Sequence, residues 1–392
     1  MKFRFYYDVV CPYAYLASLR VEAMAERTRA QIEWCPILLG GLYRHHETAD
    51  IPAESWAESK VAIGAADLLR EASGHGAPFS PNPLHPQRTV SAMRLLTLAQ
   101  GSTRIALTKA LYTAYWVDGK DLNDEIVLNQ LAEQHGLTMD AARSQTTKDQ
   151  LRAATASAAA KGVFGVPTFE IEGELWWGQD RMHLVERALG GTDHYMPLVT
   201  NPTVKRIEFF HDFSSPYSYI GAMQMNRLAA EWGVEIDWKP MLLGALFHTI
   251  GTPNIPIFSF GEARRAYLMK DLLDWATWWG IDFNFSPHFP IRSVMACRVA
   301  IIDPNTTESM YAAAWVDGVD LNDADALIRL LNDAGFDGEA LVDGTQDPAI
   351  KAVLRANTER AAAIGACGAP TVAVGNTVFW GQDRLNRVAE SL

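Results

Sequence analysis

The chain has 392 residues, 48% hydrophobic and 20% charged, with a net charge of −12, a balance that suits water-soluble globular folding over at least two domains. It contains no apolar run of the roughly 18 residues a spanning helix needs, and an acidic chain of interspersed signs is a poor partner for nucleic acid or anionic lipid. Its four cysteines make no disulfide framework, and the opening MKFRFYYDVVCPYAYLASLR lacks the apolar core of a signal peptide, so a cytoplasmic location is expected.

The first predicted element is a strand from Lys2 to Tyr7. Pro12 then suits the first position of a helix, where its missing N–H would be unpaired anyway, and an amphipathic helix is predicted from Tyr13 to Arg27. A second strand runs from Gln31 to Pro36, and a long helical stretch follows. Two short strands, Thr168 to Ile171 and Leu175 to Trp177, flank a glycine, and a last helix starts after Asp180. The Gly, Pro and Thr-rich stretch from Gly190 to Thr203, with Pro197 and Pro202, reads as a linker. Beyond it the order returns. A strand from Ile207 to His211 precedes Pro216 and a helix from Tyr217 to Trp232. The strands from Glu235 to Pro240, Thr371 to Val374 and Val378 to Trp380, and a helix after Asp383, complete it.

The letters repeat with the elements. FYYDVVCPYAYLA, from residue 5, returns as FFHDFSSPYSYIG from residue 209, an offset of 204. WCPILLGGLYRH returns as WKPMLLGALFHT, YTAYWVDGKDLND as YAAAWVDGVDLND, GVPTF as GAPTV, and WGQDR as WGQDR, all in order. A self-similarity this collinear is a tandem duplication. We expect a first α/β domain over residues 1–192, a linker over 193–203 and a second domain over 204–392. Each is read as β-α-β, a helical insert, then β-β-α.

Three repeated features carry candidate chemistry. Cys11 and Ser215 stand at matching strand-to-helix junctions. The free N–H donors and positive dipole end of a helix there predict a lowered thiol pKa for Cys11, and place the Ser215 hydroxyl to donate to a thiolate. A buried small residue and a helix cap are the plainer alternatives. No C-x-x-C partner follows Cys11, so a self-contained dithiol cycle is not expected. Pro167 and Pro370 each open a strand, where a cis bond would free the preceding N–H and C=O for an extended ligand; an ordinary edge proline is the alternative. Trp177-Gly178-Gln179-Asp180-Arg181 and Trp380-Gly381-Gln382-Asp383-Arg384 are identical; their aspartates read as helix caps or as acceptors for a ligand ammonium.

Together these motifs resemble the kappa-class glutathione transferases and the 2-hydroxychromene-2-carboxylate isomerases. That family opens on F-x-F-D-x-x-S-P-(F/Y)-S-Y-L and later carries V-P-T followed by W-x-G-x-D-R. The resemblance implies two DsbA-like thioredoxin domains, each with an α-helical insertion, and glutathione as cofactor. It implies that Ser215 donates to the glutathione thiolate, that Asn254, in Asn254-Ile255-Pro256, holds the cofactor, and that Ala369 pairs with its backbone. Trp380, Gly381, Gln382 and Asp383 complete that site. In the first copy the same roles fall on Cys11, Asp50, Val166, Trp177, Gly178, Gln179 and Asp180, with cysteine for serine and aspartate for asparagine.

The insert of the second copy keeps Tyr267, Asp271, Leu272, Trp275, Trp278 and Trp279, whereas the first has Ile63, Asp67, Leu68, Ala72, His75 and Gly76 and loses the aromatic face. Such a stripe is more often core than pocket. Arg292 and Arg88, after matching prolines, are candidates to meet a substrate carboxylate, with a surface ion pair the alternative. The remaining cysteines read as buried apolar residues, and no metal spacing is found.

The resemblance implies a glutathione-dependent isomerase acting on an aromatic-degradation intermediate, an aromatic or conjugated keto acid, with the second site the stronger. The alternatives are a glutathione transferase or thioether-cleaving enzyme, a monothiol thiol-disulfide oxidoreductase using Cys11, and a non-catalytic glutathione-binding protein. Family members of one such unit resemble homodimers, so an intrachain pseudo-dimer of the two copies is expected, with room for further homo-oligomers.

Overall fold

The computed structural model describes residues 1–48, 56–192 and 196–392. Asp50 lies outside the described residues.

The first sheet has four strands, β1 (Lys2–Tyr7), β2 (Gln31–Pro36), β3 (Thr168–Ile171) and β4 (Glu174–Trp177), in the order β2-β1-β3-β4. β1 is parallel to β2 and antiparallel to β3, which is antiparallel to β4. A parallel pair cannot be closed by a tight turn, and helices Pro12–Ser18 and Val21–Thr28 make the crossover. Aromatic residues favour pleated, buried strands. Phe5, central in β1, lies opposite Trp34 and Phe169 and packs edge-on to the first at 5.1 Å and stacked on the second at 5.4 Å.

The second sheet repeats this with β5 (Arg206–His211), β6 (Glu235–Pro240), β7 (Thr371–Val374) and β8 (Thr377–Trp380), in the order β6-β5-β7-β8. Phe209 takes the place of Phe5, opposite Trp238 and Val372. Between the second and third strands of each sheet lies the helical insert, opened by Glu58–Gly74 in the first copy and Glu262–Trp279 in the second.

The helix predicted from Tyr13 to Arg27 is broken at Leu19 and Arg20. Ser18 donates its hydroxyl to the Tyr15 carbonyl at 2.7 Å, a back-bond that competes with the helical ladder. Ala222 stands at that position in the second copy, and the helix Pro216–Trp232 runs unbroken. Val166-Pro167 and Ala369-Pro370 are cis, as are His85-Pro86 and Phe289-Pro290.

The residues group into two compact units. One comprises Met1–Pro52, Leu68–His194 and Gly261–Tyr267; the other comprises Ala53–Asp67, Tyr195–Phe260 and Leu268–Leu392. Each sheet's unit therefore includes a short stretch from the other half of the sequence. Among the described residues no helix is long and apolar enough to cross a membrane.

Candidate functional site

In the second unit the site is built on Asp212, at the end of β5. Its buried carboxylate accepts from the Ser214 N–H at 3.0 Å and the Leu243 N–H at 2.7 Å, and from the Ser293 hydroxyl. Burial raises its pKa above the ordinary carboxylate range, against the pull of those donors. One carboxylate thus ties the site loop to the starts of two helices, Leu243–Ile250 and Val294–Ile302. The Asp212 carbonyl takes the Ser215 N–H at 3.0 Å.

Ser215 caps the helix Pro216–Trp232. Its hydroxyl accepts from the Ser218 N–H at 3.1 Å and donates to the Ala369 carbonyl at 2.9 Å. Ala369 precedes the cis-proline, and among the described residues no backbone carbonyl takes its N–H. The Gly381 N–H closes the loop onto the Pro370 carbonyl at 2.9 Å. Gly381, at φ +106°, holds a backbone conformation that favours glycine. The Trp380 indole lies over Gly368, where a Cβ would come within 3.0 Å of its Cε2. Lys60, which belongs to this unit, stands 5.8 Å from the centre of the same ring. Asp383 faces Arg384 at 3.4 Å, and Arg384 pairs with Asp67 at 2.5 Å. Asn254 is exposed, and its Oδ1 would lie 3.9 Å from a Cβ on Gly244, in the helix that Asp212 anchors.

The first unit reproduces this frame atom for atom along its backbone. Asp8 accepts from the Val10 N–H at 3.2 Å, the Leu39 N–H at 2.9 Å and the Thr89 hydroxyl at 2.7 Å. Cys11 donates its thiol to the Val166 carbonyl at 3.1 Å. The Gly178 N–H reaches the Pro167 carbonyl at 2.9 Å, and a Cβ on Gly165 would lie 2.6 Å from the Trp177 Nε1. Arg264 and Tyr267, members of this unit, attend Trp177. The Arg264 guanidinium stands 5.6 Å from the ring centre, and the Tyr267 hydroxyl accepts the Trp177 N–H at 2.9 Å. Asp180 pairs with Arg181 at 2.9 Å.

Two expectations need correction. The helix N-terminus does not lower the Cys11 pKa. Burial pushes it up to about 12, and the N–H groups of Ala14 and Tyr13 pull back only in part. Cys35 and Cys367 are likewise pushed to about 12 by burial, so the Cys11 thiol is not set apart. The first copy's insert has also not simply lost its aromatic face at Ala72. The two insert helices start at Glu58 and Glu262, which places Glu71 and His75 where the second copy has Trp275 and Trp279. Gln179 is buried and donates to Glu71 at 2.8 Å, while Arg20 donates to the Gln179 carbonyl at 2.9 Å and to its side-chain oxygen. Gln382 is equally buried and accepts from the Trp279 indole at 3.3 Å. Both glutamines thus contact the insert helix of their own unit.

Arg88 and Arg292 are exposed, and neither has an ion pair among the described residues. Sequence reasoning missed Asp8 and Asp212 as site residues. Their signal was present: each stands three positions before Cys11 or Ser215 in the repeated motif.

A four-stranded mixed sheet, a cis-proline opening its third strand, and a cap residue facing the carbonyl before that proline define a thioredoxin-like unit with a helical insert, built twice. The chain belongs to the DSBA-like thioredoxin domain family, whose domain matches residues 3–190 and again 206–392. It is similar to a 2-hydroxychromene-2-carboxylate isomerase of Sphingobium xenophagum, 28% identical over 192 residues, covering 46% of this chain and 95% of that protein. It is also similar to a glutathione S-transferase kappa 2 of Caenorhabditis elegans, 28% identical over 212 residues, covering 49% of this chain and 93% of the relative. A solved 2-hydroxychromene-2-carboxylate isomerase structure aligns with a TM-score of 0.44 and 24% identity, over 48% of this chain and 95% of its own.

Proposed function

We propose that the second unit is a glutathione-dependent enzyme that isomerises a conjugated keto acid derived from an aromatic compound, of the 2-hydroxychromene-2-carboxylate type. The observation that carries this reading is the Ser215 hydroxyl. It is held at a helix N-terminus by the Ser218 N–H, and its proton is directed at the Ala369 carbonyl beside a cis-proline. A hydroxyl whose oxygen already accepts one bond keeps its proton for a partner, and turning it from a carbonyl to a thiolate gains a charge-assisted bond.

The donor set fits glutathione: the Ser215 hydroxyl for the sulfur, the Ala369 N–H for the peptide backbone, and Asn254, Trp380, Gly381 and Asp383 around it. When bound, glutathione would supply a thiolate nucleophile suited to reversible addition to a conjugated double bond. Ser215 keeps that sulfur ionised by donating to it, with the helix N-terminus adding favourable potential. Arg292 meets the substrate carboxylate. The similarity to isomerases and kappa-class transferases supports this chemistry, and transfer to an electrophile or thioether cleavage would use the same residues. A monothiol redox role for Cys11 is disfavoured by a thiol pushed up to about 12.

The test is a thermal-shift titration with glutathione and S-hexylglutathione, followed by an absorbance assay of 2-hydroxychromene-2-carboxylate turnover with and without glutathione. Binding to the native state raises the melting temperature by mass action, and turnover should require glutathione. No shift at millimolar ligand, or turnover indifferent to glutathione, would refute the reading.

A further inference from the structure

The chain is acidic overall, yet one concave face of the first unit is cationic. A cleft of about 440 Å³ opens between the helices Leu39–His45, Val90–Leu98 and Gln145–Ala160. Arg44, Arg94, Lys148 and Arg152 line it over an apolar floor that includes Leu38 and Leu151, and among the described residues no aspartate or glutamate lines it. Arg94 and Lys148 are half-buried, and neither has an ion pair or hydrogen-bond partner among the described residues. At the exposed rim Arg152 reaches Asp149 at 3.3 Å, and among the described residues Arg44 reaches only the Gly40 carbonyl, at 3.2 Å. Cations partly withdrawn from water without counter-ions lose hydration that nothing among the described residues restores. Two of them on one small concavity favour an anion of two charges, and the floor favours an apolar frame between those charges.

The cleft is separate from the site around Cys11. On the helix Leu39–His45, Tyr43 lies toward Cys11 and Asp8, whereas Gly41, Arg44 and His45 line the cleft. The second copy keeps Arg298, Lys351 and Arg355 at the corresponding positions, but has Glu359 in place of Ala156 and Thr249 in place of His45. A carboxylate at the Ala156 position would repel an anion there.

We propose that the first unit binds, in this cleft, a small dianion carried on an apolar frame, either a dicarboxylate or a phosphate monoester. The volume falls within the range of small-ligand sites.

Calorimetric titration of the intact chain with phthalate, phenyl phosphate and, as a one-charge control, benzoate tests this. One dianion per chain should bind at least about tenfold tighter than benzoate, and more weakly as salt is raised. The preferred probe separates the dicarboxylate from the phosphate source. Arg94→Gln and Lys148→Gln should each weaken binding by about tenfold or more, the usual loss of a charged hydrogen bond. Ala156→Glu, at an exposed helical position, should do the same without touching the core, so the test survives if either of the other variants misfolds. Arg298→Gln, in the second copy, should leave binding unchanged. No dianion binding at about 10 mM, or binding that persists in Ala156→Glu, or equal loss in Arg298→Gln, would overturn the proposal.

Discussion

At the head of each unit's first helix a side chain reaches the carbonyl before a cis-proline, a hydroxyl in the second copy and a thiol in the first. At the glutamines of the closing segments the copies diverge in kind. The second packs Trp275 and Trp279 beside Gln382, with Trp275 fully buried. The first sets Glu71, His75 and Arg20 about Gln179, with His75 3.5 Å from Glu71. One strand residue deeper, Tyr7 bonds to Thr108 at 2.8 Å, where His211 meets Tyr311 at 3.0 Å. The bonds common to both copies run through backbone N–H and C=O groups, the Asp8/Asp212 carboxylates and side chains kept in both, among them the Trp116 and Trp315 indoles that donate to the Val9 and Phe213 carbonyls and the Thr155 and Thr358 hydroxyls that accept from the Leu38 and Leu242 N–H groups. Backbone donors and acceptors survive any substitution except to proline, so much of the frame is indifferent to the side chains that differ between the copies. The comparison teaches that a duplicated scaffold can keep its geometry and exchange its chemistry.

The sharpest way to break that contrast is to label the cysteines. With its thiol pushed up to about 12, Cys11 should react with iodoacetamide at pH 8 roughly a thousandfold slower than a free thiol. Mass-spectrometric labelling rates for all four cysteines measure this, and fast labelling of Cys11 alone would restore it as a reactive centre. Next in size, Ser215→Ala should depress glutathione-dependent turnover by about one to two decades, from the loss of one bond to a charged partner. Cys11→Ala should change turnover little, and equal losses would mean two working sites.

The third contrast is in acid. Burial holds His211 at about 3, well below a free imidazole, so the unfolded chain takes up the proton first as pH falls. Its contribution to stability is complete above the unfolded value near 6.5 and is lost as pH drops toward 3. His211→Tyr, which installs the first copy's residue, should therefore recover about 2 kcal/mol of the acid loss at pH 5. His183, also held at about 3 by burial and then by Arg181, leaves part of the slope in place. Denaturant titrations at pH 5 and 7 measure the difference; parallel losses in both proteins would exclude His211 as a source. The smallest effect is kinetic. Arg292→Ala should raise KM for a carboxylate substrate by about tenfold with kcat nearly unchanged, and Arg88→Ala should leave both alone.

Much of the frame was legible in the sequence because its signals are local. Aromatic strands, Pro12 and Pro216 at helix starts, and glycines beside Asp180 and Asp383 act within a few residues of themselves. The helix break at Arg20 was not legible, since it depends on Ser18 turning back to Tyr15 and on Arg20 reaching Gln179 across 159 positions. The Cys11 error has a related cause. Position at a helix N-terminus can be read from letters, but depth of burial cannot, and burial outweighs the terminus here. Glu71 was passed over because an acidic residue in a helix usually faces water, and only the structure sets it against Gln179.

The stretches Ala53–Asp67 and Gly261–Tyr267 each belong to the compact unit of the opposite half. A gene cut in the linker would therefore yield two fragments, each missing a piece of itself. The amino-terminal fragment would lack the Tyr267 hydroxyl that holds the Trp177 N–H, and the carboxy-terminal one the Asp67 partner of Arg384. Each half of the sequence therefore supplies a contact that completes the other half's closing segment.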